Sequence, residues 1–314
     1  MIDVLDAGPA TLLGLAVDLS TGGMAKVAPI RSDGSFEPGD VQIFPDSSVS
    51  TLTGVLTEVE RRIGRSLRNC DVALAIPGVP GRAVIPVLRS RWTLSREGLD
   101  QFFGKPVTIV NDGAALAWAA VSEPDAGLPI GDTPPTRGLA DLGRRALIQF
   151  EAGLGAAVVD SDARGGVRVF ETEMGHVGFT PDDELDDSIV RELRAARHPS
   201  SWERVLRVGR GIQPSAVFQS LPAIEQRELF IRWAADFSGT VVLGSCAWDG
   251  VYLSGSGWGL LKEAPLGRLF MTRLRRSRAF PRQFEGLPCW HVAQKDAVLR
   301  GCAQLLLRSG GMGR

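Results

Sequence analysis

Asn111 and Asp112 stand between an apolar run, 107–110, and an alanine-rich run, 114–121. An Asp can take a proton from a hydroxyl, and an Asn offers a neighbouring hydroxyl both a donor and an acceptor. Glu173-Met174-Gly175-His176 sets a carboxylate and an imidazole three residues apart around a flexible glycine, a spacing that reaches adjacent hydroxyls of a sugar. Glu203, in Trp202-Glu203-Arg204-Val205-Leu206, is a third candidate. Each also has a plain structural reading: Asp112 as a helix N-cap, Glu173 and His176 as an exposed turn, Glu203 as part of a solvated helix face. Taken singly, spacing favours these plain readings.

The elements around these residues decide whether they can meet. The run 107–110 reads as a buried strand and 114–121 as a helix, so Asn111 and Asp112 sit at the carboxyl end of a strand, where α/β folds place ligand sites. Further strands are expected over 12–18, 24–30, 72–76, 83–88, 146–150, 156–159, 167–170 and 250–253. Helices are expected over 51–63, 95–103, 188–196, 202–208, 225–246 and 295–307, with an acidic loop at 182–187. Strands interleaved with helices in both halves predict an α/β protein. The stretch 122–137 collects Pro, Gly, Asp and Thr and reads as a linker or surface loop.

The 314 residues exceed what one hydrophobic core usually supports, so two domains are expected. A net charge of −1 gives no electrostatic reason to expect nucleic acid or an anionic membrane as partner. The four cysteines form no C-x-x-C pair and the three histidines have no metal-ligand spacing, which points to a reducing compartment without structural zinc. No stretch reads as a signal peptide or a membrane span, so cytoplasmic residence is expected. The basic run from Arg273 to Arg278 reads as a solvated helix face.

Read together, these pieces resemble the bacterial glucokinases. Ile109-Val110-Asn111-Asp112-Gly113-Ala114-Ala115-Leu116-Ala117 is similar to that family's strand, N-D, helix signature. Glu173-Met174-Gly175-His176-Val177-Gly178-Phe179 is similar to its E-G-G-H-V-D-F run, and Glu203-Arg204-Val205-Leu206 to its E-R-V-L run. Gly250-Val251-Tyr252-Leu253-Ser254-Gly255 resembles the strand near the adenosine site, and Trp92-Thr93-Leu94-Ser95 resembles the W-x-[FL]-S segment. The order is collinear from about Leu12 to the C-terminus.

The resemblance implies a two-lobed actin-like ATPase (ribonuclease H-like) fold with a cleft between a small domain, 11–121 plus 297–314, and a large domain, 122–296, closing on the sugar. It implies that Asn111, Asp112, Glu173, His176 and Glu203 bind a hexose, and that Asp112 deprotonates the hydroxyl attacking the γ-phosphate of ATP. Asp18, Ser20, Thr21, Gly153, Leu154, Gly155 and Gly255 fall on the nucleotide side. Mg2+ is implied as the partner of ATP, with Asp18 near it through water, and a homodimer is plausible by resemblance.

The nucleotide side departs from the family pattern. Where the family reads D-x-G-G-T-x-x-R, this chain reads Asp18-Leu19-Ser20-Thr21-Gly22-Gly23-Met24-Ala25-Lys26, with the glycines two positions late and a lysine one position beyond the arginine. Where it reads G-T-G-L-G, this chain reads Glu151-Ala152-Gly153-Leu154-Gly155. A carboxylate roughly 4–6 Å from a triphosphate costs on the order of a kcal/mol. Ser256 replaces a further glycine. Two functions follow: a kinase acting on glucose or a related hexose with an altered phosphate grip, or a hexose-binding relative acting as sensor or regulator.

Overall fold

In the computed structural model, which describes residues 12–122, 127–133, 142–151, 153–276, 279–292 and 294–311, the chain divides into two units. One runs to Ser122 and resumes at Lys295; the other holds Glu123–Gln294.

The first unit contains β1 (Leu12–Asp18), β2 (Met24–Arg31), β3 (Gln42–Pro45), α1 (Leu52–Ile63), β4 (Asp71–Ile76), β5 (Val84–Pro86), β6 (Thr93–Ser95), α2 (Arg96–Phe103), β7 (Thr108–Asn111) and α3 (Asp112–Ser122). The second contains β8 (Gly127–Pro129), β9 (Gly143–Phe150), β10 (Leu154–Ser161), β11 (Val167–Thr172), α4 (Glu184–Ala195), α5 (Trp202–Gly209), α6 (Ala216–Gln219), α7 (Ala223–Ser245), β12 (Val251–Ser254), α8 (Ala264–Arg275), α9 (Pro281–Glu285) and β13 (Cys289–Val292). The last helix, α10 (Ala297–Gly311), belongs to the first unit.

The two units repeat one topology. In the first the strand order is β3-β2-β1-β4-β7: an antiparallel meander whose first strand, β1, pairs in parallel with β4, which pairs in parallel with β7. In the second, β11-β10-β9 form the meander, β12 and β13 add in parallel, and β8 closes the edge antiparallel.

Strand alternation sorts the first core by size. Leu15, Val17, Leu74 and Ile76 pack with Val55, Leu56 and Phe103 on one face. Ala16, Ala73 and Ala75 pack with Ala115, Leu299 and Cys302 on the other. Small residues there let α3 and α10 lie close. Gly301 carries this furthest, since a Cβ at that position would run into the Ala115 carbonyl. The second core buries Trp233 and Trp258. Their indole N–H groups donate to Asp186 at 2.9 Å and to the Ile148 carbonyl at 3.2 Å.

Several sequence expectations shift. The predicted acidic loop is mostly helix: Asp183 caps α4, accepting from Asp186 N at 2.9 Å, and buried Asp186 pairs with Arg232 at 2.6 Å. The expected strand at 83–88 shrinks to β5, the edge of a two-stranded hairpin with β6, as Pro86 requires. The expected loop at 122–137 contains β8; residues 123–126 and 134–137 lie outside the described residues. The basic run, of which residues 277–278 also lie outside, is an ion-paired face: Arg273 binds Asp236 and Asp182, and Arg275 binds Asp132. No helix of the described residues is long and apolar enough to cross a membrane.

Candidate functional site

The sequence places His176 and Glu203 far apart, and local pairing brings them together. Phe179 N donates to the Ser200 carbonyl at 2.8 Å and Trp202 N to the Val177 carbonyl at 3.1 Å, so these two segments run side by side. Glu173 then precedes a 3-10 turn, Met174–His176, while Glu203 lies in the first turn of α5, whose N-cap is Ser201. A carboxylate is favoured there by the helix dipole. Nδ1 of His176 lies 3.5 Å from Oε2 of Glu203, and Nε2 lies 3.7 Å from Oε2 of Glu173. Glu203 is mostly buried and leans on Arg207, whereas Glu173 and His176 are exposed. The result is an imidazole between two carboxylates, alternating acceptors and donors that suit vicinal hydroxyls.

Gly175 ties this cluster to the turn between β9 and β10. A Cβ at 175 would run into the Leu154 carbonyl, so the turn carrying Glu173 and His176 rests on the first residue of β10. Leu154, Gly155 and Gly153 belong to the hairpin between β9 and β10. The space above Gly155 is open.

Asn111 and Asp112 stand in the first unit, at the carboxyl end of β7. The helix begins at Asp112, two residues before the predicted start, so Asn111 is the capping residue. Its Oδ1 accepts from Gly113 N at 2.8 Å and Ala114 N at 3.4 Å, and its Nδ2 donates to the Gly78 carbonyl at 3.1 Å. The amide is thereby fixed in orientation, with one N–H left over. Asp112 receives Gly113 N at 3.0 Å on Oδ1.

The turn between β1 and β2 occupies, in the first unit, the place that the β9–β10 turn holds in the second. Asp18 ends β1 and is buried. Burial pushes its carboxyl above the ordinary value, against the opposing pull of its hydrogen bonds to Ser20 and of the Lys26 charge. Ser20 N donates to Asp18 Oδ1 at 2.8 Å. The left-handed positions are Gly22 (φ 69°) and Gly23 (φ 66°), so Ser20 and Thr21 are spared positive φ. Lys26 pairs in register with Asp18, and its ammonium lies 3.2 Å from Asp296, a residue ahead of α10 that sequence reasoning missed.

Gly255 (φ 105°) follows β12 and opens a 3-10 segment, Ser256–Lys262. A cavity of about 530 Å³ in the second unit is lined by Arg210, Gln213, Gln219, Gln226, Ser256 and Gly257, among others. Its size suits a nucleoside. Beside the Gly255 loop, His291 on β13 is buried, and burial together with the Lys262 charge lowers its pKa.

Two units of one ribonuclease H-like topology, with polar turns at the carboxyl ends of their parallel strands, define an α/β protein of the actin-like ATPase class. The glucokinase from an Antarctic psychrotroph superposes with a TM-score of 0.70 at 20% identity, covering 94% of this chain and 98% of that one. The Balamuthia mandrillaris glucokinase, solved in complex with glucose, gives 0.74 at 16% identity, covering 97% and 95%. The sequence profile of the glucokinase family matches residues 20–228, and the chain belongs to that family. The glucokinase of Marinobacter nauticus is 31% identical over 182 residues, 57% of this chain and 54% of that protein. The chain spans about half the length of this and other curated relatives that it matches.

Proposed function

We propose that this chain is a hexose kinase that transfers the γ-phosphate of ATP to the 6-hydroxyl of glucose or a related hexose. The observation that carries this reading is the His176 cluster resting, through Gly175, on Leu154 of the phosphate-side turn: the groups suited to a sugar and a turn suited to a phosphate donor form one packed assembly.

In this reading Glu173, His176 and Glu203 hold sugar hydroxyls. Asn111 orients the start of α3 and offers its remaining N–H. Asp112 accepts the proton of the attacking hydroxyl, and Gly153, Leu154, Gly155, Ser20 and Thr21 present backbone to the donor. Phosphoryl transfer asks little covalent chemistry of a protein, so positioning and charge neutralisation supply most of the acceleration. The buried carboxylate of Asp18, flanked by Lys26 and Asp296, fits Mg2+ that is held through donor phosphates and water rather than by a protein cage. When bound, the ion neutralises phosphate charge. The 530 Å³ cavity takes the nucleoside of the donor.

The competing reading, a hexose binder without turnover, is favoured by one observation: the phosphate-side turn carries the Glu151 carboxylate. A coupled ADP-release assay with Mg-ATP and a panel of hexoses decides. Turnover with glucose or a close epimer supports the kinase. Glucose-induced thermal stabilisation without turnover on any hexose supports the binder.

A further inference from the structure

We propose that Glu151 sets the charge limit of the donor site: held on Ser256, its carboxylate competes with the phosphates of a nucleotide, so that the chain discriminates among adenine compounds by the negative charge they carry past that residue. The inference rests on the reading of the 530 Å³ cavity as the nucleoside site.

β9 and β12 are neighbouring parallel strands with Gln149 opposite Ser254, so the segments that follow them leave the sheet side by side. They touch through backbone. A Cβ on Gly255 would come within 2.6 Å of the Phe150 carbonyl, and one on Gly257 would run into the same oxygen. Nothing fits between them, and Glu151 is the first side chain beyond the contact. Its Oε1 accepts from Ser256 N at 2.8 Å and its Oε2 from Ser256 Oγ at 2.7 Å. One carboxylate thereby takes both donors of a residue that also lines the cavity. A backbone N–H and a hydroxyl at the end of a parallel strand are groups that would otherwise face a ligand anion.

Among the described residues, no basic side chain forms an ion pair with Glu151, so its charge stays available to repel a second anion. Arg210 also lines the cavity and lies over the Phe150 ring at 5.5 Å; it has no carboxylate partner among the described residues. The cavity thus offers one cation to a nucleotide, while the Ser256 end presents a carboxylate. A nucleoside avoids that carboxylate, and each phosphate directed toward Ser256 meets it.

The test is calorimetric titration of the full chain, saturated with glucose, with adenosine, ADP and Mg-ATP. Wild type is compared with Glu151→Gln, which removes charge at constant shape, and Glu151→Gly, which removes the side chain. Both variants are expected to bind Mg-ATP and ADP about tenfold more tightly while adenosine changes by less than about twofold. An unchanged ratio of Mg-ATP to adenosine affinity in both variants overturns the inference and leaves the nucleotide reading standing. Failure of adenosine, ADP and Mg-ATP alike to bind any of the three proteins overturns the nucleotide reading, and this inference with it.

Discussion

Nδ1 of His176 lies 3.5 Å from Oε2 of Glu203, although 27 positions separate the two residues and neither belongs to a strand of the sheet. The contact depends on the pairing of Val177–Phe179 with Ser200–Trp202. If both side chains bind one sugar, they act as a unit. Glu203→Gln is expected to raise the glucose Kd roughly ten- to a hundredfold, the range for losing a charge-assisted hydrogen bond. His176→Gln should do the same, and the double variant should cost less than the sum. Calorimetric titration with glucose reads all three, and strict additivity would argue against a shared ligand.

Gly175 makes a sharper structural prediction. Any side chain there must displace the Leu154 carbonyl or the turn itself. Gly175→Ala should lower Tm by several degrees and raise KM for hexose and ATP together, because the turn and the β9–β10 hairpin move as one. Gly178→Ala is the control: the position has open space around it and no positive φ. It should leave Tm within about a degree and both KM values unchanged.

Asp18 should be costly to the apo protein. Its carboxyl titrates above the ordinary 3.8 because burial penalises the charged form. The folded state therefore holds that proton more tightly than the unfolded chain. Stability from this group falls as pH rises from 3.8 to the raised value, and the cost persists at neutral pH. Asp18→Asn keeps an acceptor for Ser20 N and removes the charge. Melting curves should show the variant more stable than wild type at pH 7, with the advantage shrinking as pH is lowered toward 3.8, and its ATP-dependent turnover should be lost. A variant less stable than wild type at pH 7 would contradict this.

Much of the fold was legible because its signals are local. The run 12–18, the strand entering Asn111-Asp112 and the helix after Thr51 all carry period and punctuation within a dozen residues. β3, β6, β8 and β13 were missed; they are three or four residues long and draw their definition from neighbours in the sheet. The exchange of capping roles between Asn111 and Asp112 turns on a two-residue helix boundary, which sequence pattern does not resolve. Lys26 with Asp296 and Glu151 with Ser256 are charge and hydrogen-bond pairs separated by 270 and 105 positions. No local spacing announces either pair. Gly22 and Gly23 resolve an apparent conflict: the glycines displaced from the family pattern carry the left-handed backbone where the turn now needs it.

In the proposed kinase Asp112 acts as a base rather than as a structural carboxylate. The direct measurement is ADP release with glucose and Mg-ATP by wild type and Asp112→Asn, alongside glucose binding by each. Turnover by wild type is expected, with a fall of about 10²–10⁴ in kcat for the variant and glucose Kd within about threefold of wild type. Wild-type protein that binds glucose but releases no ADP, or a variant that turns over as fast as wild type, would contradict it.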